Sequence, residues 1–367
     1  MLKRFTVENF KSFEDRIVFD LESRNNYEFN SDVVKNGIVN KGIIYGFNGS
    51  GKSNLGRAIF DIIIMLTDKN KAIDEYYPYR NLNTDLSISV SFEYVFEFDG
   101  SELVYKYSKD DVDSLVDEVL EIDGKEYIKY DFFKQDGFVR LKGAENLSIN
   151  DPDSEISRVK YVRSNSILEN THENGVFKSF IQFVDNMLMF YSLDNNRYRG
   201  FRSGVSKIAA EIIKQDKTED FEGFLRENNI DMSIESAEVN GDLILYANYK
   251  NSKVDFFSVA SKGTIALTLF YYWYLQMNKA SFVFMDEFDA FYHFELSEAI
   301  VNRLKELADT QIIFTTHNTD LLSNDLMRPD CYFWLDGGKI KALSELTEKE
   351  LRKAHNLQKI FKAGGFR

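Results

Sequence analysis

Residues 46–53 read Gly46-Phe47-Asn48-Gly49-Ser50-Gly51-Lys52-Ser53, and no other stretch of the chain constrains its fold as tightly. The pattern G-x-x-x-x-G-K-[ST] describes a loop whose backbone N–H groups close around phosphate oxygens. Glycines are needed where a side chain would block that turn. In such a loop Lys52 reaches the β- and γ-phosphates, and the Ser53 hydroxyl holds Mg2+. The loop has to leave a buried strand and open a helix. The sequence supplies both: Gly42-Ile43-Ile44-Tyr45 is a short apolar run, and Asn54 to Leu66 is apolar at helical spacing. The helix start adds the positive end of its dipole to the site. Gly46, Asn48, Gly49, Ser50, Gly51, Lys52, Ser53 and Asn54 are therefore the candidate contacts to a nucleotide, with ATP and Mg2+ as the implied ligands.

The rest of the chain is read around that unit. Leu2 to Phe10 alternates apolar and polar residues as a half-buried strand does, and Ile17 to Leu21 gives a second strand. From Leu86 to Tyr130 the alternation continues, with Asp99-Gly100 and Asp123-Gly124 as hairpin turns, which predicts an antiparallel meander. Helices are predicted near Val176–Leu193, Val205–Lys214 and Thr218–Glu227, and strands near Met232–Tyr249. The last third alternates helix Lys262–Gln276, strand Ser281–Asp286, helix Phe294–Ala308, strand Gln311–Thr315 and strand Cys331–Leu335. A parallel sheet needs crossover connections. Its strands would thus come from both ends of the chain. The expected organisation is an ATPase core in two parts, 1–85 and 231–367, around a β-meander and helical insertion at 86–230. The fold class is α/β.

Phe282-Val283-Phe284-Met285-Asp286-Glu287 is an apolar strand that ends in two carboxylates. Ligands collect at the C-terminal ends of parallel strands. Asp286 is placed to accept from a Mg2+-bound water, and Glu287 to polarise the water that attacks the γ-phosphate. Upstream, Ser261-Lys262-Gly263-Thr264 opens a strongly apolar helix, offering a hydroxyl, N–H donors and a helix dipole to an anion. Ile312 to Thr315 is a further buried strand, followed by Thr316, His317 and Asn318.

This set resembles the ABC-type P-loop ATPases of the SMC/RecF-like group. The resemblance implies that Ser261 and Gly263 form a signature segment facing the γ-phosphate of a nucleotide held by a second protomer. It implies that Phe288-Asp289-Ala290-Phe291-Tyr292-His293 is a loop along the dimer seam, with His293 structural, and that His317 is the switch histidine sensing the γ-phosphate. Asn9-Phe10-Lys11-Ser12-Phe13 is similar to the opening of SMC and RecF chains. Lys262 departs from the usual signature, where a small residue stands. The implied catalytic set is Lys52, Glu287 and His317, and the implied metal ligands are Ser53 and Asp286.

Composition narrows the role. With a formal net charge of −14 the chain is a poor general binder of nucleic acid, although a local basic groove stays open. Arg197-Tyr198-Arg199-Gly200-Phe201-Arg202, with Lys207 beyond, suits nucleic acid or an acidic partner, and equally a solvated loop before a helix. The one cysteine, Cys331, reads as a small buried residue, and with no signal peptide the expected location is the cytoplasm. There is no heptad array for an SMC rod and no run that spans a bilayer. Arg328-Pro329-Asp330 and the tail from His355 to Phe366 are similar to small stand-alone AAA/ABC ATPases of anti-phage modules: abortive-infection, RloA-like, PARIS-type and retron-associated. Too little sequence follows the core for a nuclease domain. The expectation is therefore an ATP-hydrolysing switch, at least dimeric, that controls a separate nuclease or toxin. The alternative is a RecF-like DNA-binding ATPase of repair or recombination.

Overall fold

The computed structural model describes residues 1–68, 76–149, 156–191, 197–200, 208–290, 292 and 294–366. Two sheets carry the architecture. The first runs in the order Arg197–Gly200, Met187–Tyr191, Phe282–Asp286, Gln311–Thr315, Lys41–Tyr45, Tyr332–Asp336, Lys339–Ala342. Its five inner strands are parallel, and the two outer ones pair antiparallel. The four strands from Met187–Tyr191 to Lys41–Tyr45 are buried along their whole length. That is why they read as largely apolar runs, with Lys41 and Gln311 the buried polar starts of two of them, instead of alternating ones.

The second sheet is antiparallel, in the order Asp136–Val139, Lys125–Asp131, Ser114–Ile122, Ser101–Asp111, Val90–Phe98, Leu2–Glu8, Ile17–Asp20. The meander expected from residue 86 onward is therefore continuous with the N-terminal strands. A three-stranded sheet, Ser233–Val239, Asp242–Tyr249 and Ser252–Asp255, leads to the helix Lys262–Met277.

One element differs from its expectation. The helix expected to run from Val176 to Leu193 spans His172–Asp185, and Met187–Tyr191 is a strand of the parallel sheet beside Phe282–Asp286. Met-Leu-Met-Phe-Tyr is apolar at every position, so periodicity alone does not distinguish a buried strand from a buried helix. Within 86–230, then, the chain contributes to both large sheets.

Buried polar groups join the layers. The Gln311 side-chain amide accepts from the Leu2 N–H at 2.9 Å and donates to the carbonyls of Leu2 and Val39 at 2.8 and 2.9 Å, locking the first antiparallel strand to the parallel sheet. Asp61 and Lys109, both without exposed side-chain surface, pair at 3.1 Å. Tyr79 and Tyr107 donate to the same carboxylate at 3.0 and 2.9 Å. This fully bonded group ties the helix Asp61–Leu66 to the antiparallel sheet. Arg328 grips Asp330 with two N–H bonds at 3.0 and 2.7 Å and also reaches Ser23 and the Asn25 carbonyl. Cys331 is buried beside this pair, and burial pushes its thiol well above the usual range.

Candidate nucleotide-binding site

The strand Lys41–Tyr45 delivers the chain to Gly46 at the C-terminal edge of the parallel sheet, and the helix Lys52–Ile59 carries it away. Gly49 and Gly51 have φ of +78° and +103°, which side chains disfavour. A Cβ on Gly46 would stand 2.5 Å from the Leu335 carbonyl oxygen, and one on Gly51 would stand 2.8 Å from the Phe13 ring. The glycines are thus required by both conformation and contact. The N-terminal turn meets the loop a second time, where Asn54 donates to the Ser12 hydroxyl at 2.9 Å.

Lys52 is almost fully buried, with 4% of its side chain exposed. Its ammonium donates to the carbonyls of Gly46 and Phe47 at 3.1 and 3.3 Å and lies 2.8 Å from His317 Nε2. Glu287 Oε1 stands 3.6 Å from Lys52 Nζ and 3.1 Å from His317 Nε2. Burial pulls the Lys52 pKa down from its ordinary value, and the Glu287 carboxylate works against that shift. The His317 Nε2 serves one neighbour at a time: it accepts from Lys52 when unprotonated and donates to Glu287 when protonated.

The two acidic residues are aimed by the neighbouring strand. Thr315 Oγ1 donates to Asp286 Oδ1 at 2.8 Å and accepts from the Glu287 N–H at 2.8 Å. Glu287 has φ of +48°, in the left-handed region, so the chain turns sharply after the strand. Thr316 Oγ1 donates to Asp289 at 2.7 Å. Burial raises the Asp289 pKa, and hydrogen bonds from Thr316 and Asn318 pull it back. Tyr292 donates to the Ala266 carbonyl at 3.2 Å, so the segment after the carboxylates touches the Lys262–Met277 helix. Phe291 and His293 lie outside the described residues, as do 201–207 of the basic cluster, whose Arg197–Gly200 part is an edge strand.

Mg2+ takes oxygen ligands, often one or two from the protein with substrate phosphates and water completing the shell. Ser53 and Asp286 fit that donor set. A Cβ on Gly56 would meet the Phe284 ring at 2.5 Å, so helix and strand are in close contact there. Ser53 lies one turn before Gly56 on that helix face, and Asp286 lies two residues past Phe284 on that strand face. Those spacings put the hydroxyl and the carboxylate on facing sides at the phosphate edge. The buried Ser50 hydroxyl has no hydrogen-bond partner among the described residues, an open polar position within the loop.

Ser261 and Gly263 lie elsewhere. Ser261 is exposed, and its described hydrogen bonds stay within the helix start, from the Thr264 N–H at 3.1 Å and with Thr264 Oγ1 at 2.8 Å. Beside it is a cavity of about 430 Å3 reached also by Asn228, Asn229 and Glu295.

Sequence reasoning placed Lys52, Glu287 and His317 but gave no role to Thr315, Thr316 or Ser12. Their contribution depends on strand register and on a turn folding back across the loop, neither of which a local pattern encodes.

The loop at the C-terminal edge of a parallel sheet, with the acidic strand one strand removed and an antiparallel sheet at its side, makes this an α/β domain of the P-loop kind. The family described as "AAA domain, putative AbiEii toxin, Type IV TA system" matches residues 43–323, and the chain belongs to it. No curated protein matches the sequence. Among solved structures the chain is similar to an SmcHead bound to the C-winged helix domain of ScpA, at 15% identity over 93% of this chain and 96% of that one, with a TM-score of 0.46. It is similar to the SMC head domain from Thermotoga maritima, at 15% identity over 93% and 97%, with a TM-score of 0.40. A Smc head domain bound to the C-terminal domain of ScpA derived from Pyrococcus furiosus gives 14% identity over 94% and 97%, with a TM-score of 0.40.

Proposed function

We propose that this chain is a switch ATPase that binds ATP with Mg2+ at the 46–54 loop and hydrolyses it in a site completed by the Ser261 segment of a second copy. The observation that carries this reading is the meeting of Lys52, Glu287 and His317 at the mouth of the phosphate loop. Lys52 exchanges its two loop carbonyls and His317 for phosphate oxygens. Glu287, freed from the Lys52 ammonium, takes a proton from water onto Oε1. The water oxygen bonds to the γ-phosphorus as the bond to the bridging oxygen of ADP breaks. Ser53 and Asp286 would hold Mg2+, which would neutralise phosphate charge. Thr315 keeps the two carboxylates in their separate directions, and in this reading His317 senses the γ-phosphate.

Ser261 and Gly263 offer an exposed helix start that suits a nucleotide held by another protomer. Opening and closing of that dimer is the signal, read by a separate nuclease or toxin. The toxin–antitoxin wording of the family description supports a place in anti-phage defence. No described helix is long and apolar enough to cross a membrane.

Glu287→Gln tests the chemistry. ATP binding by calorimetry is expected to persist, and the turnover rate is expected to fall by about 10²–10⁴-fold, the range for loss of a general base. Turnover at the rate of the unchanged chain would remove Glu287 from this role.

A further inference from the structure

The C-terminal tail reaches back to the phosphate loop. In the helix Leu357–Lys362, the Phe361 ring lies 5.0 Å from Trp334 and 6.4 Å from Tyr45, centroid to centroid. Trp334 in turn meets Phe47 edge to face at 5.1 Å. Tyr45 is the last residue before the loop and Phe47 its second. Gly46, between them, backs onto the Leu335 carbonyl so closely that no Cβ fits. The strand Tyr332–Asp336 therefore supports the entry of the loop, and the tail supports that strand from outside.

The same tail touches the segment after His317. Gln358 donates to Asp320, in the short turn Thr319–Leu321. Asn324 donates to the carbonyls of Arg352, Lys353 and His355 at 3.0, 3.4 and 2.9 Å. A cavity of about 630 Å3 lies between these two stretches.

We propose that Trp334 and Phe361 are positioning residues of the phosphate loop, the tail helix acting as an outer brace that sets the loop for phosphate. The proposal rests on the ATP-binding reading above. Its physical core is the pair of bonds from Lys52 to the Gly46 and Phe47 carbonyls. Lys52 gives both up to reach a phosphate. The residues that lose those bonds are the ones resting on Leu335 and Trp334. A change in what Lys52 holds passes to the Phe47 ring, the Trp334 indole and the Phe361 ring in turn.

The chain has two tryptophans, Trp273 and Trp334, so Trp273→Phe makes Trp334 the sole emitter. Titration of that protein with ATP and Mg2+, followed by emission and by calorimetry, is expected to give one saturation curve from both. Phe361→Ala is expected to raise the ATP Kd and KM by about two- to tenfold, the worth of one aromatic pair, while kcat holds. Phe361→Tyr is expected to restore both. In the unchanged chain, amide exchange over residues 357–362 is expected to slow at saturating ATP, a readout that needs no variant to fold. Calorimetric binding with a static Trp334 emission overturns the proposal. So does a Phe361→Ala protein that loses Tm yet binds ATP as before, or tail exchange that ignores ATP. Absence of ATP binding by the unchanged chain overturns the underlying reading as well, and calorimetry on that chain separates the two failures.

Discussion

Lys52 has three N–H bonds to give, and in this structure the Gly46 carbonyl, the Phe47 carbonyl and His317 take them, with Glu287 close by as counter-charge. An ammonium this deeply placed is costly unless satisfied. Lys52→Ala removes the point charge on the phosphates, and the expected loss of ATP affinity is about 2–5 kcal/mol, the range for truncating one partner of a buried charge pair. Calorimetry gives the answer directly, and unchanged affinity would separate Lys52 from nucleotide binding. The position of Lys52 at the end of this loop and the start of a helix was legible because the 46–53 pattern fixes it with local spacing. The aiming of Asp286 and Glu287 by Thr315 was not, because it depends on which strands are neighbours.

A second buried lysine gives a prediction about pH. Lys41 donates to the carbonyls of Thr310 and Leu307 at 2.7 and 3.0 Å with no exposed surface, and burial brings its pKa down from 10.5 to about 7. The unfolded chain keeps this proton up to about 10.5, whereas the folded chain releases it near 7. Between those values the unfolded state binds more protons, so stability rises with pH, and below about 7 the contribution is flat. Urea unfolding at about pH 7 and about pH 9 is expected to show the unchanged chain gaining roughly 1–3 kcal/mol more than Lys41→Met across that interval. Equal slopes in the two proteins would show that Lys41 keeps its charge when buried.

At the scale of elements, the site depends on how the two sheets meet. Gln311 opens the strand that runs up to Thr315 and His317, and its amide holds Leu2 and Val39. Gln311→Leu keeps the volume but leaves the Leu2 N–H and two carbonyls unpaired in the core. The expected loss of stability is about 2–4 kcal/mol by urea unfolding, the sum of a few orphaned buried groups. A loss below about 0.5 kcal/mol, the size of a surface change, would mean that the junction is held by apolar packing alone. The strand Gln311–Thr315 and its acidic neighbour were legible as apolar runs ending in polar residues. The strand Met187–Tyr191 was not. It follows the helix His172–Asp185 after the single residue Asn186, whose N–H bonds back to Gln182 and Phe183, and no glycine or proline marks the change. The parallel pairing with Phe282–Asp286, 95 residues further on, decides the outcome.

For the whole molecule, the proposed function requires each site to be built from two chains. Lys52, Glu287 and His317 gather in one place, while Ser261 stands exposed at the start of Lys262–Met277 and bonds within its own turn. A second copy would bring that turn to the phosphate. Ser261→Arg should then leave ATP binding intact and abolish turnover, and Lys52→Ala should abolish both. The measurement is the ATPase rate of the two proteins mixed. Pairing gives one site with an intact phosphate loop facing an intact Ser261, and an opposite site with both defects. Activity is expected to return on mixing, to no more than about half of the unchanged dimer. Normal turnover by Ser261→Arg alone would contradict it and leave a P-loop ATPase whose site is complete within one chain.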